Sequence, residues 1–293
     1  MVRCAKAPCD SRRLILYFPL GKEGLCLEYL GLYFEFYKIK LKSIAQYRAS
    51  FFMTTFSKAA SYLSRFIVVW IMINTFRTMG TWSTYEVLLL YGLNSASYAI
   101  AGAFFYHITV PMKRMVGDGT MDEILTKPLN PFIYLAARNF STGYFGTFFI
   151  SLFLIVFCLL KLEISFTAGK LLLLAAAFLS GGLITGSFML ITSIPSFWMI
   201  RNSALPQLFF HTPSRFSEYP LSIFNKAIQF VLTVLLPFAF VTYYPALLIL
   251  GKQDLMLFPA WVSYLTPAVA VLLFVIAYRF WFYGLKRYNS TGS

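Results

Sequence analysis

The sequence predicts an all-α integral membrane protein, with six transmembrane helices preceded by an N-terminal interfacial amphipathic helix. Three observations carry this. Apolar residues make up 59% of the 293-residue chain and charged ones only 12%, with a mean hydropathy of +0.69. A soluble domain carries about 25% charged residues, and no single core of this size can hide such an apolar excess. Second, six apolar stretches lie near 60–80, 85–108, 140–160, 170–194, 225–249 and 260–283. Each matches the roughly 20 residues that a helix needs to cross a hydrocarbon layer. Third, the cations sort between alternate loops. Arg77, Lys161, Lys170 and Lys252 account for 4 of the 25 Lys and Arg, leaving 21 on residues 1–65, 111–138, 201–226 and 279–293. Lys and Arg favour cytoplasmic loops, so both termini are placed in the cytoplasm. The net charge of +14 is then a topology signal and implies no nucleic acid. A secreted disulfide scaffold, a disordered regulator and an ordinary cytosolic enzyme are all excluded.

Residues 1–26 read as a basic cytosolic arm. Arg12 and Arg13 precede a short apolar run that looks like the start of a signal peptide, but Pro19 follows with no cleavage site. Cys4, Cys9 and Cys26 in the arm, with Cys158 in the third span, show neither a disulfide framework nor metal spacing. Residues 27–48 mix aromatics with charges and read as the interfacial helix. Residues 49–293 form the six-helix membrane domain. Span one contains Arg65, either snorkelling to the headgroups or serving as a pathway cation. In span two a run of Gly, Ala and Ser surrounds Asn94, a lone amide at depth that needs a partner. Gly182 and Gly186 in span four have the spacing that lets helices approach closely.

The fifth span has two threadings. Residues 225–249 are apolar but carry Pro237 and Pro245; residues 200–218 are polar and broken by Pro206 and Pro213. Hydropathy favours a crossing by 225–249. The other threading crosses at 200–218 and folds 225–249 into a re-entrant hairpin buried against protein.

Chemistry is sparse. No G-x-x-x-x-G-K-[ST] phosphate loop occurs, since Gly21-Lys22 and Gly251-Lys252 lack both the preceding glycine and the following hydroxyl. No nucleophile elbow or H-E-x-x-H pair exists, and His107 and His211 lie in different segments. Asp118, Asp122, Glu123, Glu163, Glu218 and Asp254 read as loop acids and Glu86 as a span end, so mid-membrane ion sites are not expected. No catalytic, cofactor-binding or metal residues are assigned, and the chain is not expected to be an enzyme. The loop after span two is the informative segment. Gly117-Asp118-Gly119 is a tight turn, Thr120 is placed to cap a short helix with Asp122 and Glu123 in its first turn, and Lys127-Pro128 ends it.

That loop, Gly117 through Pro131, resembles the cytoplasmic segment of type-2 ABC exporter permeases. Within them it is most similar to the bacterial subgroup with two related permeases and a separate ATPase. Gln46-Tyr47-Arg48-Ala49, Ser196-Phe197-Trp198, Tyr219-Pro220-Leu221 and the stretch from Pro237 to Ala246 fit the same pattern, which covers roughly residues 30–290. The resemblance implies half of a translocation pore in the bacterial inner membrane. A second permease, related but different, would complete the pore. A dimer of ABC ATPase subunits, holding ATP and Mg, would couple through Gly117, Asp118, Gly119, Asp122, Glu123, Lys127 and Pro128. Arg65 and Asn94 are candidate pathway or bundle residues. The alternatives are an ion-coupled secondary transporter and a membrane scaffold without an ATPase.

Overall fold

The computed structural model describes residues 48–288 apart from 77, 128–129, 139–141, 166, 200–203 and 253–257, together with Lys38, Lys42 and Gln46. The arm at 1–26 and nearly all of the interfacial helix at 27–48 lie outside the described residues. The chain is built from helices. α1 (Arg48–Phe76) runs 29 residues, about 43 Å at helical rise. A tight hairpin follows, β1 (Thr78–Met79) with β2 (Trp82–Ser83), turning through Gly80 at φ +62°. α2 (Thr84–Thr109) starts where the Glu86 carboxylate accepts the Ser83 backbone N–H at 2.7 Å, giving an orphan donor of the first turn a partner. Next come three short helices, α3 (Met112–Gly117), α4 (Thr120–Leu125) and α5 (Pro131–Arg138). The long elements resume with α6 (Phe145–Lys161) and α7 (Ala168–Ser193), which tightens into a 3₁₀ turn to Phe197. Short helical turns over 204–216 and 221–235 lead to α8 (Tyr243–Leu250) and α9 (Thr266–Lys286).

Among the described residues, Thr84–Gly117, Ala168–Phe197 and Trp261–Lys286 are long and apolar enough to cross a membrane. Lys226–Leu235 and Phe238–Leu250 form a fourth apolar unit, bent by 79°. α6 is apolar but has only 17 residues.

α2 is the central helix and packs against both α6 and α7. Small residues set the approach. A Cβ on Gly102 would sit 2.6 Å from the Tyr144 ring, one on Gly182 2.6 Å from Ile100, and one on Gly92 2.7 Å from Ile155. Gly181 faces the Ser97 hydroxyl and Gly186 the Phe105 ring just as closely. The glycines of span four therefore seat α7 on α2; their spacing predicts such a close approach without naming the partner. Because Ser97, Ile100 and Phe105 meet Gly181, Gly182 and Gly186 in the same order, α2 and α7 run parallel.

The segment from 204 to 250 departs from the hydropathy-favoured threading. Residues 204–216 climb along α2: Trp198, just before them, packs on Phe280 near the end of α9, Phe210 stacks on Tyr98, and Asn94 reaches the Ser214 carbonyl. Ile223 then arrives beside Gly80, in the hairpin at the start of α2. The chain turns back over Lys226–Leu235, breaks at Leu236-Pro237, and returns through α8. The Thr233 and Tyr244 hydroxyls pair across this hairpin at 3.2 Å, and the Thr242 hydroxyl donates to the Ser217 carbonyl at 2.7 Å. Val241 lies against Gly181 and Phe238 stacks on Phe188 at 4.6 Å, so the tip reaches the middle of the bundle. Residues 225–249 thus form a broken hairpin whose second arm is buried while much of its first arm stays exposed, and the described residues 204–226 do not gather at one end of the fold. Hydropathy missed this because it averages over a window and does not register a near-right-angle bend. Pro237 removes the N–H that would carry a straight helix through that point.

Candidate functional site

Two polar regions interrupt the apolar bundle. The first is a platform at the end of α2 away from the hairpin. α3 and α4 meet at Asp118-Gly119, where Gly119 adopts φ +70°, a left-handed conformation that glycine takes without strain. Gly119, not Thr120, is the N-terminal cap of α4, so the expected hydroxyl cap is absent and Thr120 opens the helix. Met121 and Ile124 turn into a core with Phe132, Leu190, Ile194, Phe197 and Trp281. Asn130 caps α5, its carbonyl oxygen accepting the Phe132 and Ile133 N–H groups at 3.0 and 3.4 Å, while its amide donates to the Tyr278 hydroxyl of α9 at 3.0 Å. Phe132 is edge-on to Tyr278 and Trp281 at 5.4 and 5.7 Å. A Cβ on Gly284 would fall 2.7 Å from Ile194, so the end of α9 is pressed against the turn that closes α7.

The outer surface of this platform is charged. Asp118 and Glu123 are exposed, and Arg114 lies 3.9 Å from Asp118. Gly117 is also exposed, and a Cβ there would meet nothing. The Lys127 ammonium donates to the Tyr134 hydroxyl at 2.8 Å and to Glu123 at 3.0 Å. These two partners, the phenol first, hold its pKa above the ordinary lysine value of 10.5. Asp122 points elsewhere. It is half-buried and faces Tyr288, beyond the end of α9. The phenol does not close a well-formed hydrogen bond, but partial burial and then the carboxylate push its pKa up. The two first-turn acids, expected to act as a pair, are therefore divided: Glu123 faces out and Asp122 ties α4 to the C-terminal segment. Pro128 lies outside the described residues.

The second region lies at bundle depth. Asn94 is ten residues into α2, about 15 Å from its start. Its amide approaches the Ser214 carbonyl and the Glu218 carboxylate, each at 3.5 Å. Glu218 is in a turn, as expected of a loop acid, but the turn sits beside the middle of α2. Sequence reasoning flagged the amide and could not see its partners, which are more than a hundred residues away. Arg65 lies on α1, and its side chain is outside the described residues. No cluster of His, Cys, Asp and Glu suited to a metal occurs among the described residues.

A family model described as ABC-2 family transporter protein matches residues 59–292, well over half of the chain. No curated protein and no solved structure matches the sequence. The matched region runs from within α1 to beyond the end of α9 and includes both polar regions.

Proposed function

Because the chain belongs to the ABC-2 transporter family, we propose that it is the permease subunit of an ATP-driven exporter, forming half of the pore and coupling to separate ATPase subunits through residues 117–128. Membership in this family makes it a multi-pass membrane component of an ABC transporter, a class of permease that works with an ABC ATPase and is not itself catalytic. The finer reading is ours. α1, α2, α6, α7, the 204–224 segment and α9 serve as the six spans, with both termini in the cytoplasm of a bacterial inner membrane. The exposed face of α3 and α4 receives the ATPase, which holds ATP and Mg. A second permease, related but not identical, completes the pore.

One observation carries this proposal. The α3–α4 corner has a charged outer face and an apolar inner face locked to the ends of α7 and α9. On this reading a force on Glu123 passes through the buried side of α4 to the ends of two spans. The buried Met121 and Ile124 supply the grip, and the exposed acids supply complementarity to a basic partner. The test is co-expression with the neighbouring ATPase and affinity purification from membranes. The wild-type chain retains the ATPase; the Asp118→Lys/Glu123→Lys double variant inserts at a normal level and loses it at least about tenfold, as like charges across an interface require. Retention by the double variant, or ATP turnover by the rigorously purified permease alone, overturns the reading.

A further inference from the structure

The 204–216 segment carries a feature that the pore reading does not use. Gln207, His211 and Arg215 are all exposed and succeed one another every four residues along it. Their stretch is not a plain helix. Gln207–His211 is a π turn, closed by the Thr212 hydroxyl donating to the Gln207 carbonyl at 2.9 Å. Pro213 follows with no N–H to offer the preceding turn. Such widened turns concentrate at functional sites. Depth is fixed independently. Phe210 is buried against Tyr98 and Phe238, and the Ser214 carbonyl meets Asn94, so the stripe lies beside the middle of α2 and far from either end. Arg215 makes no ion pair among the described residues. A guanidinium exposed at this level cannot face hydrocarbon, because charged side chains at bilayer depth face a bundle interior or a water-filled cavity. A neutral amide and an imidazole on the same face fit the same surroundings.

We propose that Gln207, His211 and Arg215 line the aqueous path of the pore, and that Arg215 contacts an anionic group, phosphate or carboxylate, on the transported molecule. The inference rests on the pore reading and adds a substrate class to it. Glu218, three residues further on, is half-buried and held against Asn94, whereas Arg215 is exposed and is the forward contact. A guanidinium suits this role because its planar fork matches carboxylate and phosphate oxygens two at a time.

The experiment uses the assembled permease–ATPase complex in membrane vesicles opened to reagents on both faces. Cys4, Cys9, Cys26 and Cys158 are replaced by Ser in the parent chain. His211→Cys is then treated with an anionic and a cationic methanethiosulfonate of similar size, their rates corrected for intrinsic reactivity, with Leu272→Cys on the exposed side of α9 as the lipid-facing control. The expected result is rapid labelling at 211, little at 272, and an anionic preference of about fivefold or more from one nearby positive charge. Arg215→Gln abolishes the preference and Arg215→Lys keeps it. Dodecyl phosphate or inorganic phosphate slows labelling only when residue 215 is cationic, and which of them protects separates a lipid-borne anion from a soluble one. No labelling at 211, a disulfide between His211→Cys and the second permease, or a preference that survives Arg215→Gln overturns the proposal. Co-purification of the ATPase is scored in the same preparations, so a failure of this site is distinct from a failure of the pore reading.

Discussion

Single side chains differ widely in what they hold. Lys252 closes the hairpin end of the bundle: its ammonium donates to the Thr81 carbonyl at 2.7 Å and to Glu86 at 2.8 Å, and lies 4.7 Å from the centre of the Trp82 ring. The two charged side chains are only 20% and 15% exposed, so water screens them poorly. Glu86 also holds the Ser83 N–H, and Trp82 is fully buried against Tyr243. One amine therefore pins the end of the re-entrant hairpin to the start of α2. Removing it strands a half-buried carboxylate, which costs about 1–3 kcal/mol. Lys252→Met should lower the unfolding midpoint in detergent by several degrees, and a double-mutant cycle with Glu86→Gln should recover most of the loss as coupling. Additive losses in that cycle would show that the two charges act separately. The pair at Lys127 is more exposed and contributes less. Its sign with pH is fixed by the raised ammonium pKa: the contact is fully present below the ordinary lysine value and is lost as pH rises through the folded-state value.

At the level of elements, the long spans were legible because apolar runs of membrane length have few other uses. A close helix approach at α7 was legible from Gly182 and Gly186, but that its partner is α2 was not. The fifth span was not, and the reason is physical. The segment that runs along α2 is short, polar on one face and interrupted by Pro206 and Pro213, while the more apolar stretch after it is bent by 79° and is not one straight helix. Hydropathy reports what can sit among apolar neighbours, and a hairpin with one arm buried in the bundle satisfies that as well as a span does. The platform was legible in outline from its turn and its acids. Its fixings were not, because Tyr134, Tyr278, Trp281 and Tyr288 come together only through tertiary packing. The two threadings differ in a measurable way. Ile223 sits beside Gly80, so Ile223→Cys should react with an impermeant thiol reagent from the same side as Gly80→Cys, and Asp118→Cys only after permeabilisation. Reaction of position 223 from the side of position 118 would restore the hydropathy threading and refute the re-entrant hairpin.

Across the whole molecule, the proposed coupling makes the platform and the deep polar stripe the two ends of a mechanical path. On the proposed coupling, force applied at Glu123 passes through α4 to the buried cluster around Phe132 and Trp281, and on through α9 and α7 to the α2 wall that holds Asn94. The aromatic packing along that path is dense: Trp281 is fully buried and meets Phe197 at 5.4 Å, and Phe105 of α2 is edge-on to Phe274 of α9 at 6.1 Å. Truncating Trp281 would damage the core as well as the path, since emptying so large a site costs about 3–5 kcal/mol. The Asn130–Tyr278 bond offers a cleaner cut. It joins the cap of α5 to α9 through one hydroxyl, and Tyr278→Phe removes that hydroxyl while leaving the ring against Phe132 and Phe274. The loss in stability should stay near 1 kcal/mol, the net worth of one hydrogen bond. Docking depends on the exposed acids and should be unchanged, so the ATPase should co-purify in the wild-type ratio. Transport-coupled turnover should fall, because α5 no longer pulls α9 with it. The measurement is the ATPase-to-permease ratio after purification, set beside ATP turnover in reconstituted vesicles. Normal docking with reduced turnover places the 130–278 link in the transmission path; normal docking with normal turnover shows that the packed rings carry the force without it.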